Sequence, residues 1–136
     1  KPYVGILDLL DYLNSSGYKL AIVSNKNHAA VCELREKYFN ALIDTAIGQQ
    51  EGIRRKPYAD SIYATLEFLG GLKENTVYIG DSEVDIKTAE NAGIDCIIVS
   101  WGFRDRQQLL VAGAEKIVDT ADEIIEILEG KESAKA

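Results

Sequence analysis

Ser24, Asn25, Lys56, Asp81 and Asp85 are the residues of this sequence whose types and placement suit a phosphoryl group and a hard metal ion. Ser24-Asn25-Lys26 follows the apolar run Leu20-Ala-Ile-Val23, and Gly80-Asp81-Ser82 follows Val77-Tyr-Ile79, with Asp85 shortly after. Lys56 lies in Arg54-Arg55-Lys56-Pro57, directly before a predicted helix, and Ser100-Trp101-Gly102-Phe103 follows Cys96-Ile-Ile-Val99. A phosphoryl group repels an oxygen nucleophile unless cations neutralise its equatorial oxygens. Lys56 can supply one positive charge. Asp81, with Asp85 nearby, can hold Mg²⁺, which takes one or two carboxylates plus phosphate oxygens. The Ser24 hydroxyl and neighbouring backbone N–H groups can orient the remaining oxygens, helped by the positive end of the following helix.

Each residue also has a structural use. Ser24 or Asn25 can cap the helix predicted over 27–38, and Asp81 or Ser82 can cap the one over 83–92. Lys56 can be a solvated lysine, and Gly80 can relieve a crowded turn. His28 has no partner at a useful spacing and is given no role. Trp101 and Phe103 read equally as core aromatics or as a pocket rim. The common location of the polar groups at strand ends favours a site, because open parallel sheets bind ligands at the carboxyl ends of their strands.

The elements that would position them alternate. Unbroken apolar runs at 20–23, 77–79 and 96–99, bounded by Gly, Asn, Asp and Ser, read as strands buried on both faces. Weaker strands are expected near 45–48 and 116–118. Ile6, Leu9, Leu10 and Leu13 form a helical stripe that Gly17 can stop. Further helices are expected over 27–38, from Pro57 as first helical residue to Gly70-Gly71, over 83–92 and over 105–112. Thr120 and Glu123 resemble a capping box opening a last helix through Leu128. Strict helix–strand alternation implies an α/β domain with a Rossmann-like parallel sheet covered by helices on both faces. Residues 1–136 read as one core domain, with residues 130–136 as a polar, fraying tail.

Composition agrees. The chain has 136 residues, 46% of them hydrophobic and 27% charged, which is ordinary for one folded domain. Fifteen Lys and Arg against 22 Asp and Glu give a net charge of -7, which disfavours a nucleic-acid partner. No apolar run is long enough to cross a membrane, and the first residues do not read as a signal peptide. Cys32 and Cys96 share no metal or redox spacing, so reduced thiols in a cytoplasmic protein are expected.

Val23-Ser24-Asn25-Lys26, then Gly48-Gln-Gln-Glu-Gly52 leading to Arg55-Lys56-Pro57, then Gly80-Asp81-Ser82-Glu83-Val84-Asp85 with Ala89 through Gly93, resemble motifs II, III and IV of the haloacid dehalogenase superfamily. Val99-Ser-Trp-Gly-Phe-Arg104 and Ala112-Gly113-Ala114 resemble its phosphoglycolate-phosphatase-like branch. The resemblance implies that Ser24 and Asn25 bind the phosphoryl group, Lys56 stabilises its charge and Asp81 ligates Mg²⁺. Asp85 is implied to support the metal or the lysine. It further implies a Mg²⁺-dependent phosphatase of small phosphorylated metabolites, working through an aspartyl-phosphate.

One departure is large. The family nucleophile is the first aspartate of a D-x-D motif after its first strand, and no D-x-D occurs in this sequence. Asp8 and Asp11 lie on the polar side of the first helical stripe. The sequence opens at Pro2-Tyr3-Val4-Gly5, where the family resumes after its cap domain, so the motif I strand and the cap are expected to be missing. That strand would lie between those ending at Val23 and Ile79. The gap is expected to be filled by a missing segment, rather than by a second copy or by rearrangement of residues 1–18 against their helical pattern. These residues alone are expected to show no turnover. The other readings are a non-catalytic phosphate- or metal-binding module, an inactive fragment, or a receiver-like domain.

Overall fold

The structure is a computed structural model describing residues 5–39, 42–102 and 105–135, with only the backbone described for 131–135. In chain order the elements are α1 Ile6–Ser15, β1 Ala21–Asn27, α2 His28–Phe39, β2 Thr45–Gln49, α3 Asp60–Leu69, β3 Val77–Gly80, α4 Glu83–Ala92, β4 Asp95–Val99, α5 Arg106–Val111, β5 Ile117–Val118 and α6 Ala121–Lys135. A 3₁₀ turn at Lys73–Asn75 precedes β3, an element the sequence pattern does not predict. No helix among the described residues is long and apolar enough to cross a membrane.

All paired strands are parallel, as the alternation requires. They form two sheets, β1-β2 and β3-β4-β5, and no backbone ladder joins β1 to β3 among the described residues. Residues 6–15 keep the helix their stripe predicts, so rearrangement of this segment into the gap does not occur here. The open side of β3 leaves Ile79 41% exposed, although it sits in a strand of an otherwise covered sheet.

β4 shows why its run lacks alternation. Ile97 and Val99 face α1 and α6 through Leu9, Leu13, Ile124 and Leu128. Ile98 faces the other way, onto Ile86 of α4 and Leu109 of α5. The second face continues over β3, where Tyr78 packs with Ile62 of α3, Ala89 and Ala92 of α4, and Val23 of β1. Each residue of β4 from Ile97 to Val99 is therefore buried whichever way it points.

Three boundaries differ from the expectation. β1 continues through Ser24 and Asn25 to Asn27, with an irregular register after Val23. The cap of α2 is consequently Asn27, whose Oδ1 accepts the Ala29 N–H at 2.9 Å; neither Ser24 nor Asn25 serves. α3 begins at Asp60 rather than at Pro57. The Lys56–Pro57 peptide is cis, and residues 54–58 are held by bonds incompatible with a helical start: Tyr58 N–H to Arg55 C=O, Asn91 Nδ2 to Pro57 C=O, and Arg54 N–H to Asp60 Oδ2. α6 continues past Gly130 to Lys135. Its expected cap is present, with Glu123 N–H donating to Thr120 Oγ1 and Asp119 N–H to Glu123 Oε1. Pro2, Tyr3, Val4, Phe103 and Arg104, used in the sequence reading, lie outside the described residues.

Candidate functional site

The site is built on strand ends and the loops leaving them. β1 delivers Ser24 and Asn25, the loop before α3 delivers Lys56, and the turn from β3 into α4 delivers Asp81, Ser82 and Asp85. Ser82 caps α4 by accepting the Asp85 N–H, which fixes the turn on which both carboxylates stand.

Asn25 and Lys56 are joined through the lysine's backbone. Lys56 N–H donates to Asn25 Oδ1 at 2.8 Å, and Asn25 Nδ2 donates to Lys56 C=O at 3.3 Å. The side-chain amide thus pairs with the main chain as a neighbouring strand would. The lysine's other end reaches Asp85: Nζ lies 2.8 Å from Oδ1 and 3.1 Å from the Tyr78 hydroxyl, which itself donates to Oδ1 at 2.7 Å. An ammonium has three N–H donors. Among the described residues Asp85 and Tyr78 take two, and one remains for a ligand.

Asp85 is saturated. Oδ1 accepts from Lys56 and Tyr78, while Oδ2 accepts from the Asp81 N–H at 2.9 Å and Ser82 Oγ at 3.2 Å. Burial pushes its carboxyl up. The bonds and charge of Lys56, joined by the Asp81 N–H and Tyr78, outweigh burial and hold it below the ordinary aspartate value. Burial also pushes the Tyr78 phenol far up, reinforced by the Asp85 charge, so it stays protonated. A metal ion approaching Asp85 would have to displace one of four donors. Asp85 thus contacts the lysine, one of the two groups that the sequence reading had it support.

Asp81 packs at the neighbouring strand end. Its side chain lies against Gly102 in the loop after β4, so tightly that a Cβ built on Gly102 would sit 2.6 Å from the Asp81 Cβ. Ser24 Oγ accepts the Lys26 N–H at 3.1 Å, which leaves its hydroxyl hydrogen as a donor. Among the described residues there is no cluster of three or more His, Cys, Asp and Glu that could hold a metal. A single carboxylate such as Asp81 still fits Mg²⁺ in donor chemistry, since that ion keeps several waters and borrows phosphate oxygens.

Three other aspartates are placed by geometry. Asp44 Oδ2 accepts the Leu20 N–H at 2.7 Å, at the opposite end of β1 from Ser24. Asp8 and Asp11 are exposed on α1. Of the two aromatics left open, Trp101 packs against the core cluster that contains Ile97 and Val99.

The geometry and the ordered motifs agree with comparison to known proteins. Residues 1–99 match the family model described as haloacid dehalogenase-like hydrolase. The chain belongs to the haloacid dehalogenase-like hydrolases. A phosphoglycolate phosphatase of Agrobacterium fabrum is 36% identical over 110 residues, covering 77% of this chain and 46% of its own length. Pyrophosphatase PpaX of Bacillus mycoides is 26% identical over 129 residues, covering 94% of this chain and 60% of its own. A crystal structure from Lactobacillus delbrueckii subsp. bulgaricus, of a protein assigned by name to the phosphoglycolate phosphatases, superposes with a TM-score of 0.91 at 47% identity. It covers 93% of this chain and 53% of that one. The chain spans about half the length of the first curated haloacid dehalogenase-like relatives it matches.

Sequence reasoning misses one residue that contacts Lys56 and Asp85: Tyr78 reads only as part of an apolar strand, although a buried tyrosine usually finds a partner for its hydroxyl. His28 reads as having no role, yet its Nδ1 accepts the Gly48 N–H at 3.1 Å and lies 3.2 Å from Gln50 Nε2, tying the start of α2 to the end of β2.

Proposed function

We propose that this chain carries the phosphoryl-binding and charge-stabilising part of a phosphatase acting on small phosphorylated metabolites. The observation that carries the reading is the Lys56 ammonium, oriented by Asp85 and Tyr78, on a carboxylate that also accepts the Asp81 N–H. Relatives named phosphoglycolate phosphatase and pyrophosphatase support the substrate class.

In this reading Lys56 neutralises an equatorial phosphoryl oxygen and holds it in place. The Ser24 hydroxyl donates to a second oxygen. Asn25 acts mainly through Lys56, by fixing the peptide from which the lysine rises. Asp85 keeps the ammonium charged and aimed, and Tyr78 stiffens that pairing. Asp81 would hold Mg²⁺, which when bound offsets further negative charge on the phosphoryl group. The attacking group is an aspartate delivered on a further strand between β1 and β3, from a segment beyond residues 1–136 or a second copy. A cytoplasmic setting belongs to the same reading, with Cys32 and Cys96 both free thiols.

The test is phosphate binding by the chain itself. Inorganic phosphate with Mg²⁺ should shift amide NMR signals of Ser24, Lys56 and Asp81, and Lys56→Ala should abolish the shifts. The same protein should not hydrolyse a generic phosphate ester. Absence of phosphate-induced shifts in the wild-type chain overturns the reading. Metal-dependent hydrolysis lost in Asp81→Asn shows that the attacking group lies within these residues.

A further inference from the structure

The glycines of this chain fall into distinct groups. Gly5, Gly17, Gly52, Gly70, Gly93 and Gly113 have positive φ, and all but Gly5 have open space where a side chain would go. Gly48, Gly80 and Gly102 are the reverse. None has positive φ, and each is blocked where its Cβ would stand. These three lie at or just beyond the carboxyl ends of β2, β3 and β4. Their backbone angles do not call for glycine; the neighbouring atoms do.

At two of the three, the neighbour is a site carboxylate. A Cβ on Gly80 would sit 2.5 Å from Asp85 Cγ. On Gly102 it would sit 2.6 Å from Asp81 Cβ and 2.7 Å from Asp81 Cγ. Real side-chain carbons do not approach so closely, so something must move. The stretch leading into Gly102 is held: Trp101 packs against the core cluster that contains Ile97 and Val99, and the Ser100 N–H is bonded to Val118 C=O at 2.9 Å. Asp81 is the neighbour that a side chain at residue 102 would meet.

We infer that Gly102 is a positioning residue for Asp81: its bare backbone forms the wall against which that carboxylate is set. A side chain at residue 102 pushes the carboxylate out of the place from which it faces a ligand, and because it would meet the Asp81 Cβ, the Asp81 main chain that donates to Asp85 must shift with it. The steric statement stands on the geometry alone, and its consequence for metal binding rests on the reading of Asp81 under Proposed function.

The test compares wild type, Gly102→Ala, Asp81→Asn and, as a control in open space, Gly130→Ala. Mn²⁺ binding is followed by water-proton relaxation, and thermal melting is measured without metal. Gly102→Ala should weaken Mn²⁺ by about 10- to 100-fold, the usual effect of losing a group that orients a ligand. Gly130→Ala should leave it unchanged. Gly102→Ala should also lower the melting temperature, and adding Asp81→Gly should restore most of that loss by clearing the contact. The double variant decides the matter even if Gly102→Ala alone does not fold. An equal melting loss from Gly102→Ala with and without the Asp81→Gly change overturns the inference, as does wild-type Mn²⁺ affinity in Gly102→Ala. Wild-type protein whose Mn²⁺ binding is absent or insensitive to Asp81→Asn overturns the metal reading instead; the melting comparison then still decides the role of Gly102.

Discussion

Lys56 Nζ and Asp85 Oδ1 meet at 2.8 Å, with both side chains largely withdrawn from solvent. The lysine comes from a loop and the carboxylate from the first turn of α4, so the contact exists only in the assembled fold. Burying two charges costs desolvation energy that their attraction offsets only when every remaining donor and acceptor is used. Here the carboxylate has four donors and the ammonium has two acceptors.

Removing the lysine should therefore be expensive. Lys56→Met leaves the Asp85 charge buried without its cation, and should cost about 3–5 kcal/mol of stability in urea unfolding. Adding Asp85→Leu should recover a large part of that loss. A Lys56→Met protein as stable as wild type would show that the pair is solvated in solution.

The same pair sets an acid dependence. The folded Asp85 carboxyl titrates below its ordinary value of 3.8, so the unfolded chain takes up the proton first. Its stabilising contribution is complete above the unfolded value and is lost as pH falls through the folded one. The stability difference between wild type and Asp85→Asn should be flat near neutrality and shrink below about pH 4. A difference that grows on acidification would contradict the depressed value.

Tyr78→Phe removes a hydroxyl that donates to Asp85 and accepts from Lys56. It should cost about 1.5–3 kcal/mol, the range for hydrogen bonds to charged groups. It should also raise the Asp85 titration midpoint, followed by carboxyl carbon NMR. Lost stability with an unmoved midpoint would reduce Tyr78 to a packing residue.

Cys96 lies half-buried in β4, where burial, then the Asp85 charge, pushes its thiol up from 9.0 to about 12. Each unit is a tenfold loss of thiolate, so alkylation at mildly alkaline pH should run about a thousandfold slower than for an ordinary thiol. Mass spectrometry after iodoacetamide treatment, native against urea-unfolded, reads this directly. Rapid native labelling of Cys96 would refute it.

Much of this is legible in the sequence because parallel strands advertise themselves. The runs ending at Val23, Ile79 and Val99 are unbroken because helices cover both their faces, and the polar residues that follow must emerge at one edge. Ser24 and Asp81 are placed at strand ends that way, and Lys56 is picked out by its position before a predicted helix. Pro57 misleads because its preference for a helix's first position is local, whereas the bonds from Asn25 and Asn91 that hold residues 56–57 out of the helix are tertiary. Asp85 is visible as a carboxylate but not as a saturated one, since its donors come from four separate residues. The closeness of Gly102 to Asp81 leaves no trace in sequence, because steric contact between distant residues has no periodicity.

The break between β1 and β3 has a consequence for how the molecule comes apart. Without a ladder across it, the two sheets are joined among the described residues by side-chain packing, around Val23 and Tyr78 on one face and through Leu20 on the other, and by the polar chain Asn25–Lys56–Asp85. Cooperativity between the halves thus rests on side chains rather than on a backbone ladder, and Lys56 lies on that polar chain. Amides of β1 and β2 should exchange with solvent as one block and those of β3 to β5 as another, with separate opening energies. Phosphate bound at Lys56 should bring the two blocks closer to a single unit, so that occupancy is read as rigidity far from the ligand.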